Sequence, residues 1–508
     1  MTERFNRSVR VLVCLALIAL SSAALSAERG TVKKARYKIE YATYLGGRAW
    51  DQAREIIVYP DGSVLVGAQC TSDNMPTTAG VVQPRYAGDD PALGHGGIYG
   101  GDCYLVRLNA DGRKILAATY FGGSKQERNV YGMALDSQGN IVITSATRSP
   151  DAPTTHGCFQ PTYGGGPSDM LVAKLSPDLK KLLWCTYVGG SGDDFPRGGL
   201  ALDEHDYVYV VGTTSSPNFP TTPGVIQRRL NGPKDSAIVK LAPDGSALVF
   251  GTLLGGSGED DAIMGVRLDA VGSLYVAGHT KSADFPVTAG APQPKLGGMS
   301  DCYLAKLSAD ARRLLYATYL GGSGNEFAEH RPWLSADGCL LLAGFCGSPD
   351  FPTTEKAFQR RLHGKGDGFL TKLSADGQRW VFSTLLGGSE GENLLMPTVD
   401  ANGNIYVVGS TSSHDFPVTP DALQRTYGGG QEDAAMAVFS PDGAKLLYAT
   451  YLGGSGEEMI RSIALGRNGE VYLVGNTSSE DFPVSQNAVQ TKHGGKGDAF
   501  VVKLVPNR

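Results

Sequence analysis

Tyr448-Ala449-Thr450-Tyr451-Leu452-Gly453-Gly454-Ser455-Gly456 decides the fold, because the chain repeats it seven times. The other copies start at Tyr41, Ala117, Trp184, Phe250, Tyr316 and Phe382. Their shared threonine falls at Thr43, Thr119, Thr186, Thr252, Thr318, Thr384 and Thr450, spaced by 76, 67 and then 66 residues four times over. A fixed period of this length marks one supersecondary unit that cannot bury its apolar face alone and must stack on its neighbours.

The last copy shows what one unit encodes. After the glycines come Met459 to Leu465, the turn Arg467-Asn468-Gly469, and Glu470 to Gly475. Alternating and β-branched residues on both sides of an Asn-Gly turn predict a β-hairpin. The turn recurs as Asp61-Gly62, Gln138-Gly139-Asn140, Asp337-Gly338 and Asn402-Gly403. A polar loop, Asn476 to Pro483, then leads through Gln490 and Gly494-Gly495 to Asp498, which opens a third strand, Ala499 to Leu504. In earlier copies a turn such as Ser440-Pro441-Asp442-Gly443 leads on to a fourth strand, Lys445 to Leu452, which contains the signature itself. No helical periodicity appears. Seven four-stranded antiparallel meanders predict an all-β fold, a closed β-propeller, which protects its sheet edges by radial repetition.

The two ends of the chain complement one another. The last copy stops at Leu504 to Arg508, where its fourth strand is due, and Tyr37 to Leu45 is a spare copy of that strand. The N-terminal strand is therefore expected to complete the last blade, whereas an open solenoid would need capping at both ends. Pro196, Pro332 and Pro397 sit in or near first strands. Those strands border the central channel and tolerate a missing N–H.

Residues 1–27 read as an export signal. Arg4, Arg7 and Arg10 precede an apolar run, Val11 to Leu20, followed by the small residues Ser22, Ala23, Ala24 and Ala27. The run is shorter than the roughly 20 residues of a spanning helix, and Cys14 lies inside it rather than after it, unlike a lipoprotein cleavage site. Residues 28–35 form a short linker and 36–508 the propeller. The expectation is an exported, periplasmic or extracellular monomer with no membrane span after cleavage.

The full chain carries 46 basic and 51 acidic residues, a formal charge of −5. Losing three arginines and one glutamate with the signal leaves about −7, without blocks of like charge. Neither nucleic acid nor an anionic membrane is a natural partner for such a surface. Sixty-eight glycines and 27 prolines signal many turns, and 41% hydrophobic content supports a large core. Seven cysteines remain after cleavage, an odd number with no zinc spacing. Cys70 and Cys103 flank one inter-strand loop, and export would permit a disulfide between them.

The signature, with Gly403 to Gly409, Asp415-Phe416-Pro417-Val418-Thr419, Gln424, Gly428-Gly429 and Asp433, resembles the SBBP repeat, a bacterial β-propeller repeat, over about residues 36–508. The resemblance implies a seven-bladed propeller, usually in exported or cell-surface bacterial proteins. It implies no shared reaction.

Chemistry is expected on the face that carries the fourth-to-first and second-to-third connections. Eight residues after each marker threonine stands an acid: Asp51, Glu127, Asp194, Asp260, Glu326, Glu392 and Glu458. A second acid precedes each third strand: Asp102, Asp169, Asp235, Asp301, Asp367, Asp433 and Asp498. One reading is a ring of carboxylates at the channel mouth, with Ca²⁺ as the candidate ion. The other, favoured by the sevenfold recurrence, ties each carboxylate to backbone N–H groups of its own loop and requires no cofactor. Arg54, Arg197 and Arg461, three residues beyond three of the acids, are expected to neutralise part of the ring. The recurring Phe219, Phe285, Phe351, Phe416 and Phe482 suit plugs between blades better than carbohydrate-stacking platforms.

Departures from the repeat are the better place to seek a ligand, since binding is often grafted onto loops of a rigid scaffold. The first repeat inserts about ten residues within Gly88 to Gly101 and reads Arg48-Ala49-Trp50 where others read Ser-Gly. The fifth carries Glu329-His330-Arg331-Pro332-Trp333. Trp50, His95, Tyr99, His330 and Arg331 are the resulting candidates. The eight histidines form no HExxH pair. The expected function is an exported binding or scaffold module whose loop-bearing face engages a glycan, peptide or envelope protein. The alternative is a metal-assisted hydrolase or lyase working at the channel mouth.

Overall fold

In the computed structural model, which describes residues 34–89 and 100–507 (the side chains of residues 263 and 264 aside), seven antiparallel sheets form a closed ring. Residues 1–27, read from the sequence as an export signal, and His95 and Tyr99 lie outside the described residues. Each sheet is a meander whose first strand lines the channel. Those first strands are Asp51–Val58, Glu127–Leu135, Asp260–Leu268, Glu392–Val399 and Glu458–Leu465 in blades one, two, four, six and seven. In blades three and five the strand is broken into Asp194–Phe195 with Leu200–Leu202, and Glu326–Phe327 with Trp333–Leu334. The intervening stretches hold Pro196 and Pro332, which cannot donate to a ladder.

The ring closes as the sequence predicts. Tyr37–Leu45 pairs antiparallel with Asp498–Pro506, with Thr43 opposite Val501. Blade seven is thus built from both ends of the chain.

The signature is a lock between strands and between blades. Thr450 Oγ1 donates to the Gln424 carbonyl (3.2 Å) and accepts from its N–H (2.9 Å), while Gln424 Oε1 accepts from Gly453 N–H (2.9 Å). Ser455 then donates from N–H and Oγ to Asp481 of the next blade's Asp-Phe-Pro loop (2.8 and 2.9 Å). Phe482 of that loop is 2% exposed, its ring centroid 4.7 Å from that of Phe500. Burying one such ring stabilises by about 1.5–3 kcal/mol. The core accordingly lies between sheets; one cluster joins Val408 and Met436 of blade six to Ile460 and Phe500 of blade seven. At the hairpin turns Gly62, Gly403 and Gly469 hold φ of 81°, 81° and 84°, which a side chain would oppose.

Cys70 and Cys103 form no disulfide; both are buried free thiols. Cys70 stands opposite Asp102 and Gln69 opposite Cys103, so the two cysteines point to opposite faces of the sheet. Cys70 packs in the core between blades seven and one, Cys103 in the core between blades one and two. Among the described residues no helix is long and apolar enough to cross a membrane.

Candidate binding site at the channel mouth

The seven first-strand acids are all 0–1% exposed. Asp194 accepts from Gly190 N–H and Ser216 Oγ, both at 2.7 Å, and Asp260 from Gly256 N–H and Ser282 Oγ at the same distance. Asp51 repeats the pattern with Gly47 N–H and Ser72 Oγ. Glu127, Glu392 and Glu458 accept from Gly123, Gly388 and Gly454 N–H and from Thr147, Thr411 and Thr477 hydroxyls. Glu326 accepts from Gly322 N–H at 2.8 Å.

The third-strand acids face the same glycine pairs from the other side. Asp301 Oδ2 accepts from Gln293 Nε2 and Gly297 N–H, both at 2.8 Å. Burial, and next the charge of Glu127, push Asp102 up to about 8; burial likewise holds Glu127 and Asp169 near 7. Two carboxyls at one dry junction cannot both ionise cheaply. Among the described residues no group of three His, Cys, Asp or Glu side chains is placed to hold a metal ion.

Three residues past each acid the geometry changes. In blades one, six and seven the register shifts by one residue there, between Ala53 and Glu55, Leu394 and Met396, and Ile460 and Ser462. In blades two and four the shift spans Arg128 to Gly132 and Asp261 to Gly265. Such bulges re-aim a side chain. The residues at this position are Arg54, Val130, Arg197, Ile263, Glu329, Leu395 and Arg461, charged in odd blades and apolar in even ones.

The four charged side chains converge across the channel. Arg197 Nη2 donates to Glu329 Oε1 at 2.7 Å, Arg461 Nη1 to Oε2 at 3.0 Å, and Arg54 Nη2 to the Glu329 carbonyl at 2.9 Å. Burial alone would raise Glu329, but Arg197, Arg461 and Arg54 hold it down at about 2. Arg54 is itself lowered to about 10, by burial and then by the charge of Arg197. The sequence placed these arginines beside the acid ring; the bulge in blades one and seven, and the break in the first strand of blade three, turn them away from it, into the channel.

Around this centre lies a cavity of about 170 Å³. Arg54 sits over the Tyr131 ring and Arg128 over Phe195, each at 5.0 Å, with the two rings 5.1 Å apart. Gln52, Gln69 and Asn129 supply amides. With its oxygen turned toward Arg461, the Gln52 amide accepts from that guanidinium at 2.8 and 2.9 Å.

Two of the sequence candidates belong to this plug. Arg331 forms an ion pair with Glu55 of blade one. His330 is 4% exposed and held well below the usual imidazole range, first by burial and then by the surrounding arginines. Trp50 stands apart, half-buried at the junction of blades seven and one, bridged to Gly497. Sequence reading missed Gln52, Arg128, Asn129, Tyr131 and Phe195 as a group. Aligning the copies on their acids and comparing the next four positions would have exposed them.

The SBBP beta-propeller repeat model matches residues 183–220 and 398–417. No curated protein matches the chain. Solved structures similar to it include BamB from Moraxella catarrhalis, at 11% identity and a TM-score of 0.39, covering 92% of this chain and 99% of that one. A protein of unknown function from Dyadobacter fermentans gives 10% and 0.41, covering 93% and 100%. A quinohemoprotein alcohol dehydrogenase from Comamonas testosteroni gives 11% and 0.42, covering 92% and 76%. Seven like units close in one ring, so the chain is a seven-bladed β-propeller, two stretches of which match the SBBP repeat.

Proposed function

We propose that this propeller is an exported binding protein that takes its ligand at the loop-bearing mouth of the channel, as a module for a glycan, peptide or envelope partner. The observation that carries the reading is the break in sevenfold symmetry at one position: charged residues appear past the acid in blades one, three, five and seven and converge beside a cavity. A scaffold needs the same residue in every blade, whereas a ligand needs a few residues in one place. His330 and Arg331 serve in this reading as supports of the plug, Trp50 as part of the rim.

Arrays of glycans and envelope-derived peptides, probed with residues 28–508, test it. Hits weakened by Arg461→Gln at the mouth and unchanged by Arg467→Gln on the exposed hairpin face would uphold the proposal. Hits indifferent to both changes, or equally sensitive to both, would overturn it.

A further inference from the structure

Between blades five and six a groove of about 600 Å³ separates the second-to-third loop of one blade from the Asp-Phe-Pro loop of the next. That is the size of a ligand site. Phe358, Arg360, Arg361 and His363 line it from blade five, Asp415 and Pro417 from blade six. The blade-five loop reads Gln359-Arg360-Arg361-Leu362, and a double arginine at this place recurs only in blade three, as Arg228-Arg229. The matching groove between blades three and four, about 530 Å³, has Ile226, Gln227 and Asn231 on that wall and neither arginine. The same dipeptide thus faces the groove in one blade and not in the other.

The arginines of blade five are fixed by their backbone and free at their tips. Thr353 Oγ1 donates to the Arg360 carbonyl at 3.2 Å, and Gln359 Nε2 to the Arg361 carbonyl at 2.9 Å. Both residues are exposed, and among the described residues neither guanidinium forms a hydrogen bond or an ion pair. The one carboxylate of the lining is engaged, since Asp415 Oδ1 accepts from Ser389 N–H and Oγ at 2.8 and 3.0 Å. Phe358 is 38% exposed and anchored edge-on to Phe439 of blade six, with ring centroids 5.9 Å apart. Arginine beside an accessible aromatic ring is the composition of an interaction hot spot.

The lining also selects between ligands. A guanidinium fork takes a carboxylate in two parallel bonds. Sugar hydroxyls need side-chain donors and acceptors, and the one amide here is used up. Gln359 Oε1 accepts from Gly387 N–H at 3.0 Å, while Nε2 donates to Asp367 as well as to the Arg361 carbonyl. Phe358 and Pro417 offer an apolar wall to a hydrophobic side chain instead.

We infer that the groove between blades five and six docks an acidic peptide segment, its carboxylates on Arg360 and Arg361 and an apolar side chain against Phe358 and Pro417. This site is separate from the channel mouth and goes beyond the reading given above.

Selection of random octapeptides on the purified protein, followed by calorimetric titration of the enriched sequences, tests it. Enriched peptides should carry carboxylates around an apolar residue and lose about tenfold in affinity when one carboxylate becomes an amide. Arg360→Gln and Arg361→Gln should each cost about tenfold, and Phe358→Ala about fivefold. Arg228→Gln and Arg229→Gln, the same dipeptide outside its groove, should change nothing. A thermal midpoint near that of the parent checks that each variant folds. Enrichment of neutral or basic peptides, or binding indifferent to Arg360 and Arg361, would overturn the inference. So would displacement of the peptides by equal concentrations of inorganic phosphate or oligogalacturonate, which would assign the groove to a simple anion or a glycan. Arg461→Gln should leave these peptides untouched. If it alone weakens them, they bind at the channel mouth, and this inference falls while that reading stands.

Discussion

The blade junctions and the channel mouth lie only three residues apart along each first strand, yet they obey opposite rules. At the junctions every blade uses an acid, a glycine pair and a neighbouring hydroxyl, with Asp194 and Asp260 matching to the distance. At the mouth the blades differ: three contribute an arginine, one a glutamate and three an apolar residue. Alternation explains how both fit in one strand. The acid's side chain turns into the junction, and a bulge, or in blades three and five a break in the strand, aims the residue three places on toward the axis. Repetition therefore reports on assembly, and its failure reports on what the assembled ring holds.

Four experiments sharpen or break this contrast. Replacing a junction acid should do most damage: Asp194→Ala strands a backbone N–H and a hydroxyl in a dry site, at a cost of about 2–4 kcal/mol by denaturant unfolding. Asp260→Ala should cost about the same; a difference between them above about 1.5 kcal/mol would mean that the junctions are not equivalent. At the mouth, Glu329→Gln leaves Arg197 and Arg461 without their charge partner. Both arginines keep some contact with solvent, so the cost should be smaller, about 1–2 kcal/mol. A loss equal to that of Asp194→Ala would make the plug as structural as the junctions.

The two regions also respond oppositely to pH. Asp102 at about 8, Glu127 and Asp169 at about 7, and Asp235, Asp433 and Asp498 at about 6 all lie above their ordinary values, chiefly through burial. A raised carboxyl favours the folded state when protonated. Its contribution is whole below about pH 4 and fades as pH rises through the folded value. Glu329, at about 2, contributes above its ordinary value and loses that contribution as pH falls. The thermal midpoint should thus fall by a few degrees between pH 6 and pH 9, at about 2–4 °C per kcal/mol. A midpoint that rises over this range would show the junction carboxyls to be ionised already at pH 6. Ca²⁺ should have the least effect: after chelation, titration should move the midpoint by less than about 1 °C, where saturating a folded-state site would add about 2.7 kcal/mol. A saturable rise would turn the junction carboxylates into metal ligands and restore the metal-dependent reading.

The ring was legible because its determinants are local and recur: the 66-residue spacing, the Asn-Gly turns and the spare strand at Tyr37 each need only the sequence. The mouth was half legible. Arg54, Arg197 and Arg461 stood out by their common position, but a bulge has no fixed residue signature, so their direction was not. Nor did the fifth-blade position, where Glu329 completes the set, carry an arginine to draw the eye. Cys70 and Cys103 show the same limit: one residue of register decides which face each occupies, and loop length does not report it.

The strand at Tyr37–Leu45 also sets the order in which this molecule can be finished. Thr43 bonds to Gln490, 447 positions away in the chain. Loop-closure entropy is spent before that contact is made, and chains rich in such contacts fold slowly. Whatever the order in which the inner blades form, Tyr37–Leu45 has no sheet to join until Asp498–Pro506 has been synthesised. During that interval Val501 and Phe500 of the final blade lack their partner, and the half-built ring has two raw edges to keep from pairing with another copy. Closure is then a late, single event, and the arginines of blades one and seven reach Glu329 of blade five only when it has happened.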